Sequence, residues 1–266
     1  MKEGGQRTKG ITLESSKENP VVSIITIVYN RKQDLQATFE SVFAQSYSNI
    51  EYIVVDGASN DGTLDLIESY SDKISYWRSE PDKGLYDAMN KGLSLAQGDF
   101  VWFMNAGDLI FENDTTERII QKAGREVDVY FGETMMFDET GKEWGIRSQI
   151  TNQVLPKKLG WRSLSKGMVV CHQSILVKRG IAPEYILDHP FSADIDWVIK
   201  SLKAADQIVN TDQILSRYLM GGFSKKNLFK SWADRYDILK RHYGVFPNLW
   251  NHLMIVLRAL LQRRSY

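Results

Sequence analysis

Carboxylates and amides in this 266-residue chain gather at the ends of apolar runs. Asp56, Ser59 and Asp61 follow EYIVV, residues 51–55. Asp82 and Lys83 come next, with Asp87 and Asn90 shortly behind, and Asn105 and Asp108 follow FVWFM, residues 100–104. Carboxylates that converge without His or Cys partners suit a hard, oxygen-seeking cation such as Mg²⁺ or Mn²⁺. A divalent ion held by few protein ligands keeps positions for phosphate oxygens. The chemistry suggested is therefore a metal-neutralised nucleoside diphosphate. Simpler uses stand beside it. Asp56 and Asp61 adjoin Gly57 and Gly62, and such pairs form turns with no chemistry attached. Asp61 also fits the cap of the next helix, and Asp87 and Asn90 fit the solvated face of a helix start. The four histidines (His172, His189, His242, His252) show no metal-ligand spacing.

Those residues need a frame to bring them together. Residues 21–28 (VVSIITIV) form a continuous apolar, β-branched run, as in a strand buried on both faces. Helical spacing follows over 32–44, a second strand over 51–55, a turn over 56–62, and a helix beginning at Leu64. A short strand over 74–78, a helix over 85–96 and a strand over 100–104 complete the alternation. Strand and helix taking turns in this way predict an α/β fold with a doubly wound, mainly parallel sheet. Ligands of such sheets bind beyond the carboxyl ends of the strands, so the loops Tyr29–Arg31, Asp56–Gly62, Glu80–Gly84 and Asn105–Leu109 form the expected mouth. Beyond 126 the pattern changes to shorter extended pieces at 128–131, 134–137 and 174–177. Helices are then expected over 191–204 and 225–242.

With 43% hydrophobic and 25% charged residues, the composition is that of an ordinary globular chain large enough to bury a core without staples. The single cysteine, Cys171, excludes an intramolecular disulfide and a Cys-rich zinc site, and suits a reducing compartment. Net charge is zero but unevenly spread. Residues 225–266 hold nine Lys or Arg against two Asp, a net +7, which leaves −7 on the rest. An acidic body with a basic tail argues for a polyanionic surface met by the tail and against nucleic acid as a partner. No secretory signal is visible in residues 1–20, which read as a flexible arm, and no apolar run is long enough to span a bilayer.

Several blocks together resemble the inverting glycosyltransferase family 2, of GT-A fold. They are VSIITIVYN (22–30), QSYSNIEYIVVDGASNDGT (45–63), EPDKGLYDAMNKG (80–92) and GDFVWFMNAGD (98–108), followed by CHQS (171–174), SADIDW (192–197) and GGFS (221–224). The resemblance covers about 21–224 and implies a GT-A domain there. Residues 21–109 would be its nucleotide-binding half and 110–224 its acceptor half, with a basic helical C-terminal extension over 225–266.

The implied activity is transfer of a sugar, hexosyl or N-acetylhexosaminyl, from a nucleoside diphosphate sugar to an acceptor hydroxyl with inversion. The donor would be uridine-linked, the cofactor Mn²⁺ or Mg²⁺, and the setting cell-surface polysaccharide biosynthesis. By the same resemblance Asp56 contacts the nucleoside, although the family often has a second Asp where this chain has Gly57. Asn105–Asp108 occupies the place of an Asp-x-Asp metal motif and keeps a carboxylate only at Asp108, so a weaker metal site is expected. Asp194 stands where the family has its catalytic base. Asp194 and Asp196 cannot share a helix face, so one of them faces elsewhere. Tyr29, Asp82, Lys83, Asp87, Asn90, Asn105, His172 and Gln173 are expected around the donor.

The alternative reading is a nucleotide-sugar-binding module without catalysis, motivated by the incomplete metal motif. A nicotinamide dehydrogenase is disfavoured because the first strand–helix turn, YNRKQD, lacks G-x-G-x-x-G. The tail supports two readings. Over 246–264, apolar residues from Leu249 to Leu261 surround most of a helix, with Arg258, Arg263 and Arg264 emerging. This suits either a helix packed on the catalytic domain or one lying in a membrane interface against anionic headgroups. The acceptor implied by the resemblance is a saccharide or a lipid-linked saccharide. The expected location is cytoplasmic, including the inner face of the cell membrane.

Overall fold

A computed structural model of the chain describes residues 1–122, 126–221 and 228–262, the side chains of 228, 229 and 256–262 excepted. Residues 222–224 of the GGFS block, Lys225, Lys226, Arg263 and Arg264 thus lie outside the described residues.

The first half alternates as its apolar spacing dictates. After an edge strand β1 (Lys2–Gly4) come β2 (Val22–Val28), α1 (Lys32–Phe43), β3 (Ile50–Asp56), α2 (Thr63–Ser69), β4 (Tyr76–Ser79), α3 (Leu85–Leu95) and β5 (Phe100–Phe103). The second half holds β6 (Leu109–Ile110), α4 (Thr115–Lys122), β7 (Val129–Phe137), β8 (Glu143–Ile146), α5 (Arg147–Ile150), β9 (Ile175–Lys178), α6 (Ala193–Ala204) and β10 (Ile208–Leu219). Two helices follow, α7 (Leu228–Tyr243) and α8 (Val245–Gln262).

One sheet runs β1-β4-β3-β2-β5-β9-β7-β10-β6, with β8 paired to β7. Strands β4, β3, β2 and β5 are parallel; β9 is antiparallel to both β5 and β7. Because side chains alternate along a strand, each apolar run feeds two cores. Ile25, Ile27, Ile53, Val55 and Phe103 pack with Met89 of α3 and Trp197 and Ile199 of α6. Ile24, Val28, Tyr52, Val54 and Trp102 pack with Leu35 and Phe39 of α1 and Ile67 of α2. Helix α3 lies close because residue 92 is Gly, where a Cβ would come within 2.5 Å of Ile25.

Two expectations need correction. The first residues are not simply an arm, since Lys2–Gly4 pair antiparallel with β4 and Arg7 reaches Glu51 at 3.1 Å. An unpaired outer edge of β4 would leave backbone groups open to other chains, and this segment covers it. The pieces expected at 128–131 and 134–137 form the single strand β7. Among the described residues no helix is long and apolar enough to cross a membrane.

Candidate active site

Strands β2, β3, β4 and β5 end at one pole, and chain order reverses at β2, where β3 and β4 lie to one side and β5 to the other. A crevice opens at such a switch point. Asp56, the last residue of β3, is fully buried there. Its carboxylate accepts hydrogen bonds from the Ser59 amide and hydroxyl and from Ser79 Oγ at 2.6 Å, which fixes the following loop against β4. Tyr29, directly after β2, is exposed. Between them Gly57 leaves a space, and a Cβ there would collide with Asp82 Oδ2 and approach the Tyr29 ring at 3.2 Å. Asp82 thus fills the place of a side chain at 57, and its other oxygen accepts from the Gly84 amide at 2.8 Å.

Four residues expected around the donor, Asp87, Asn90, His172 and Gln173, are engaged by the protein itself. Asp87 accepts from the Lys83 amide at 3.0 Å and pairs with Lys91 at 3.4 Å, so it shapes the loop that leaves Lys83 exposed. Asn90 clamps Tyr185, donating to its carbonyl at 2.9 Å and accepting from its amide at 2.7 Å. His172 is buried, with Nε2 at 2.7 Å from the Tyr185 hydroxyl, and burial pushes its pKa down to about 4. A neutral imidazole held this way positions Tyr185. The amide and imidazole are turned inward because two polar groups in a buried layer need partners, and Tyr185 supplies them.

After β5 the chain turns through Asn105–Asp108, closed by the Asp108 amide donating to the Asn105 carbonyl at 2.9 Å. The Asp108 carboxylate is buried and accepts from Gln173 Nε2 at 2.8 Å and from the Leu219 amide at 3.1 Å. Burial pushes its pKa up to about 7, against the lowering effect of those two hydrogen bonds. Asn105 Oδ1 is buried with no hydrogen-bond donor. An orphaned amide oxygen and a buried carboxylate carried by the same tight turn are donors of the kind that suit a hard cation with few protein ligands. Among the described residues no group of three or more His, Cys, Asp or Glu forms a fuller cluster.

The second half of the chain contributes the start of α6. Asp194 lies half-buried in its first turn, accepting from Tyr86 Oη at 3.2 Å and from the Ile195 amide at 3.0 Å. Burial pushes its pKa up to about 6, and the Tyr86 hydrogen bond is the largest effect opposing that rise. Asp196 points elsewhere, to His242 Nε2 and Lys200 Nζ, both at 2.7 Å. Burial would raise Asp196, yet these two partners hold it below its ordinary value. The chemistry of the pair is thereby divided: one carboxylate near neutrality in its titration, the other tied to α7.

Rings connect the two halves. Tyr86 stacks on Tyr185 at 5.5 Å and Tyr185 on Trp197 at 5.3 Å, so a column runs from α3 to the helix that carries Asp194. The adjacent residues His172 and Gln173 reach opposite ways, to Tyr185 and to Asp108. Tyr218 sits where these parts meet, its hydroxyl raised first by burial and then by the charges of Asp108, Cys171 and Asp194.

Residues 23–185 match the family described as Glycosyl transferase family 2. The chain belongs to glycosyltransferase family 2. A PGL/p-HBAD biosynthesis glycosyltransferase of Mycobacterium bovis is 30% identical over 190 residues, covering 68% of this chain and 69% of that protein. An uncharacterized glycosyltransferase of Mycobacterium tuberculosis is 42% identical over 103 residues, which is 38% of this chain and only 39% of the relative's length. Among solved structures, S. aureus TarS 1-349 in complex with UDP-GlcNAc aligns with a TM-score of 0.61 at 19% identity, over 82% of this chain and 64% of that one. The mannosyltransferase PcManGT from Pyrobaculum calidifontis, in complex with GDP-Man and Mn²⁺, aligns at 0.57 and 16% identity, over 96% and 86%. The sheet is accordingly the GT-A arrangement.

Within this family-2 chain, sequence reasoning did not single out Tyr86, Tyr185 or Trp197 as parts of the site. Tyr86 lies one residue before Asp87 in EPDKGLYDAMNKG, and Trp197 closes SADIDW, so both stood within motifs. Tyr185 looks like an ordinary core aromatic, and only the fold reveals that it joins Trp197 to Tyr86 of α3.

Proposed function

We propose that this glycosyltransferase moves a sugar from a nucleoside diphosphate sugar, uridine-linked, to an acceptor hydroxyl with inversion of the anomeric centre. The setting would be assembly of a cell-surface glycan or glycolipid. The observation that carries the proposal is Asp194, a half-buried carboxylate with its pKa pushed up to about 6, held by Tyr86 at the start of α6. A base is most effective when its pKa lies near the working pH. At neutral pH Asp194 is ionised and still basic enough to take the proton of an acceptor hydroxyl.

Inversion needs a single in-line displacement. The acceptor oxygen forms the new bond to the anomeric carbon as the bond to the diphosphate oxygen breaks. The acceptor proton goes to Asp194, and the nucleoside diphosphate leaves with the bonding electron pair. Tyr29 and Asp82 would flank the nucleoside over Gly57, with Lys83 placed for a phosphate charge. Asp56 would act by setting the loop beneath. Asp108, with the Asn105 oxygen, would hold Mn²⁺ or Mg²⁺, which when bound neutralises charge on the departing diphosphate. Gln173 fixes the Asp108 carboxylate, so its orientation precedes any ligand.

A panel of uridine- and guanosine-linked sugars, assayed with Mn²⁺ for nucleoside diphosphate release on addition of saccharide acceptors, tests the reading. Acceptor-dependent release with at least one donor is expected. Donor binding with no turnover under any acceptor would support the binding-module alternative instead.

A further inference from the structure

Helix α8 is turned inside out. Its polar residues face the protein: Asn248 is fully buried and donates to the Tyr236 carbonyl at 2.9 Å, and Asn251 donates to the Ser165 carbonyl at 3.1 Å. His252 packs on the same side, its ring 5.1 Å from that of Tyr236. Met254 and Ile255 are half-buried beside them, but four other apolar residues face outward. Phe246, Leu249, Trp250 and Leu253 are 85%, 58%, 64% and 50% exposed. Their spacing, i, i+3, i+4 and i+7, gathers them on one stripe about 100° wide. The sequence repeats the same spacing at Leu257 and Leu260, whose side chains lie outside the described residues.

A helix that only completed the core would place these faces the other way round, because burying apolar surface is what stabilises docking. Here α7 does that work, with Ile238 and Leu239 fully buried against the domain. Helix α8 is held by hydrogen bonds along its polar side, so its apolar stripe is left for something outside. Contiguous apolar surface of this kind marks an interaction site.

We propose that the stripe inserts into the headgroup–acyl boundary of an anionic lipid surface. Charge chooses this occupant. Residues 225–266 carry a net +7 in an otherwise acidic chain; on the adjoining helix Lys230 is exposed, and Lys240 and Arg241 are exposed while paired with Asp237 and Asp188. A second copy docked stripe to stripe would set one +7 segment against another, whereas anionic lipid complements it. Trp and Phe among the outward residues suit the interfacial depth such helices occupy. Through His242 and Asp196 the helix pair is tied to α6, the element that carries Asp194. Lipid contact would therefore anchor the acceptor half of the site, not the nucleotide half.

The test is co-sedimentation of the full chain with vesicles of phosphatidylcholine alone or with one-third phosphatidylglycerol. The comparison is a triple variant, Leu249→Gln with Trp250→Gln and Leu253→Gln. Wild type should pellet with the anionic vesicles, stay free with neutral ones, and be released as salt rises. The variant should bind at least about tenfold more weakly at an unchanged melting temperature. Failure of wild type to bind, or equal binding by the variant, overturns the proposal. So does a lowered melting temperature in the variant, which would mean the stripe packs on the protein. A wild-type dimer that the variant dissociates would assign the stripe to a second copy instead.

Discussion

Removing one hydroxyl should move the pH dependence of the reaction. Tyr86 donates to Asp194 Oδ1 at 3.2 Å, and this hydrogen bond favours the ionised carboxylate. Hydrogen bonds to charged groups contribute about 1.5–3 kcal/mol net, and a length above the usual O–H···O range argues for the low end. One pKa unit corresponds to about 1.4 kcal/mol. In Tyr86→Phe the pKa of Asp194 should therefore climb from about 6 to about one unit higher. A base must be ionised, so the acid limb of the kcat/KM profile should shift up with it. At pH 6 the ionised fraction would fall from about a half to about a tenth, a loss of roughly fivefold, while at pH 8 it would barely change. The assay is kcat/KM from pH 5 to 9 for both proteins, with melting temperatures alongside. A uniform loss at all pH values, or an unmoved acid limb, would refute the link between Tyr86 and the base.

Asp108→Ala should remove the Mn²⁺ dependence of donor binding, read by titrating Mn²⁺ in the presence of nucleotide sugar, while Asn105→Asp should tighten it by adding a charged oxygen. Gly57→Ala should displace the Asp82 carboxylate and weaken donor binding by roughly tenfold at an unchanged melting temperature, since only the end of one side chain must give. Asn90→Ala would leave the buried amide and carbonyl of Tyr185 without partners, and chemical denaturation should show a loss of about 2–4 kcal/mol.

The first half of the chain was legible because its strands are buried on both faces. An unbroken run such as VSIITIV reads the same in sequence and in the sheet, and the loops at its carboxyl ends follow from the topology. The second half was harder for identifiable reasons. Strand β10 opens with Ile208 and Val209 and then passes through Asn, Thr, Asp and Gln, with Asp212 in the left-handed region and register shifts against β7, so no alternation shows. Strand β7 runs through residues 132 and 133 between the two expected pieces, and the missing Cβ of Gly132 admits the neighbouring strand, since a side chain there would meet Gln213 and Thr211. In the site, the polar residues of a motif could be located but not assigned a direction. Asn90 and Asp87 belong to the same block as Lys83, yet two of the three turn to the protein. The inward-facing asparagines of α8 show the same limit, because helical spacing reveals a stripe without saying which side is covered.

If Asp194 is the base for sugar transfer, Asp194→Asn should stop proton removal while leaving the fold and the donor site intact. Asparagine keeps the shape and the contact with Tyr86 but cannot take a proton. The measurement is acceptor-dependent transfer by Asp194→Asn and Asp196→Asn, with donor affinity determined for each. Asp194→Asn should bind donor like wild type and transfer about 10²–10⁴-fold more slowly, whereas Asp196→Asn should act through stability, by weakening its ties to His242 and Lys200. Near-normal transfer by Asp194→Asn, or a larger catalytic loss in a well-folded Asp196→Asn, would contradict that role for Asp194.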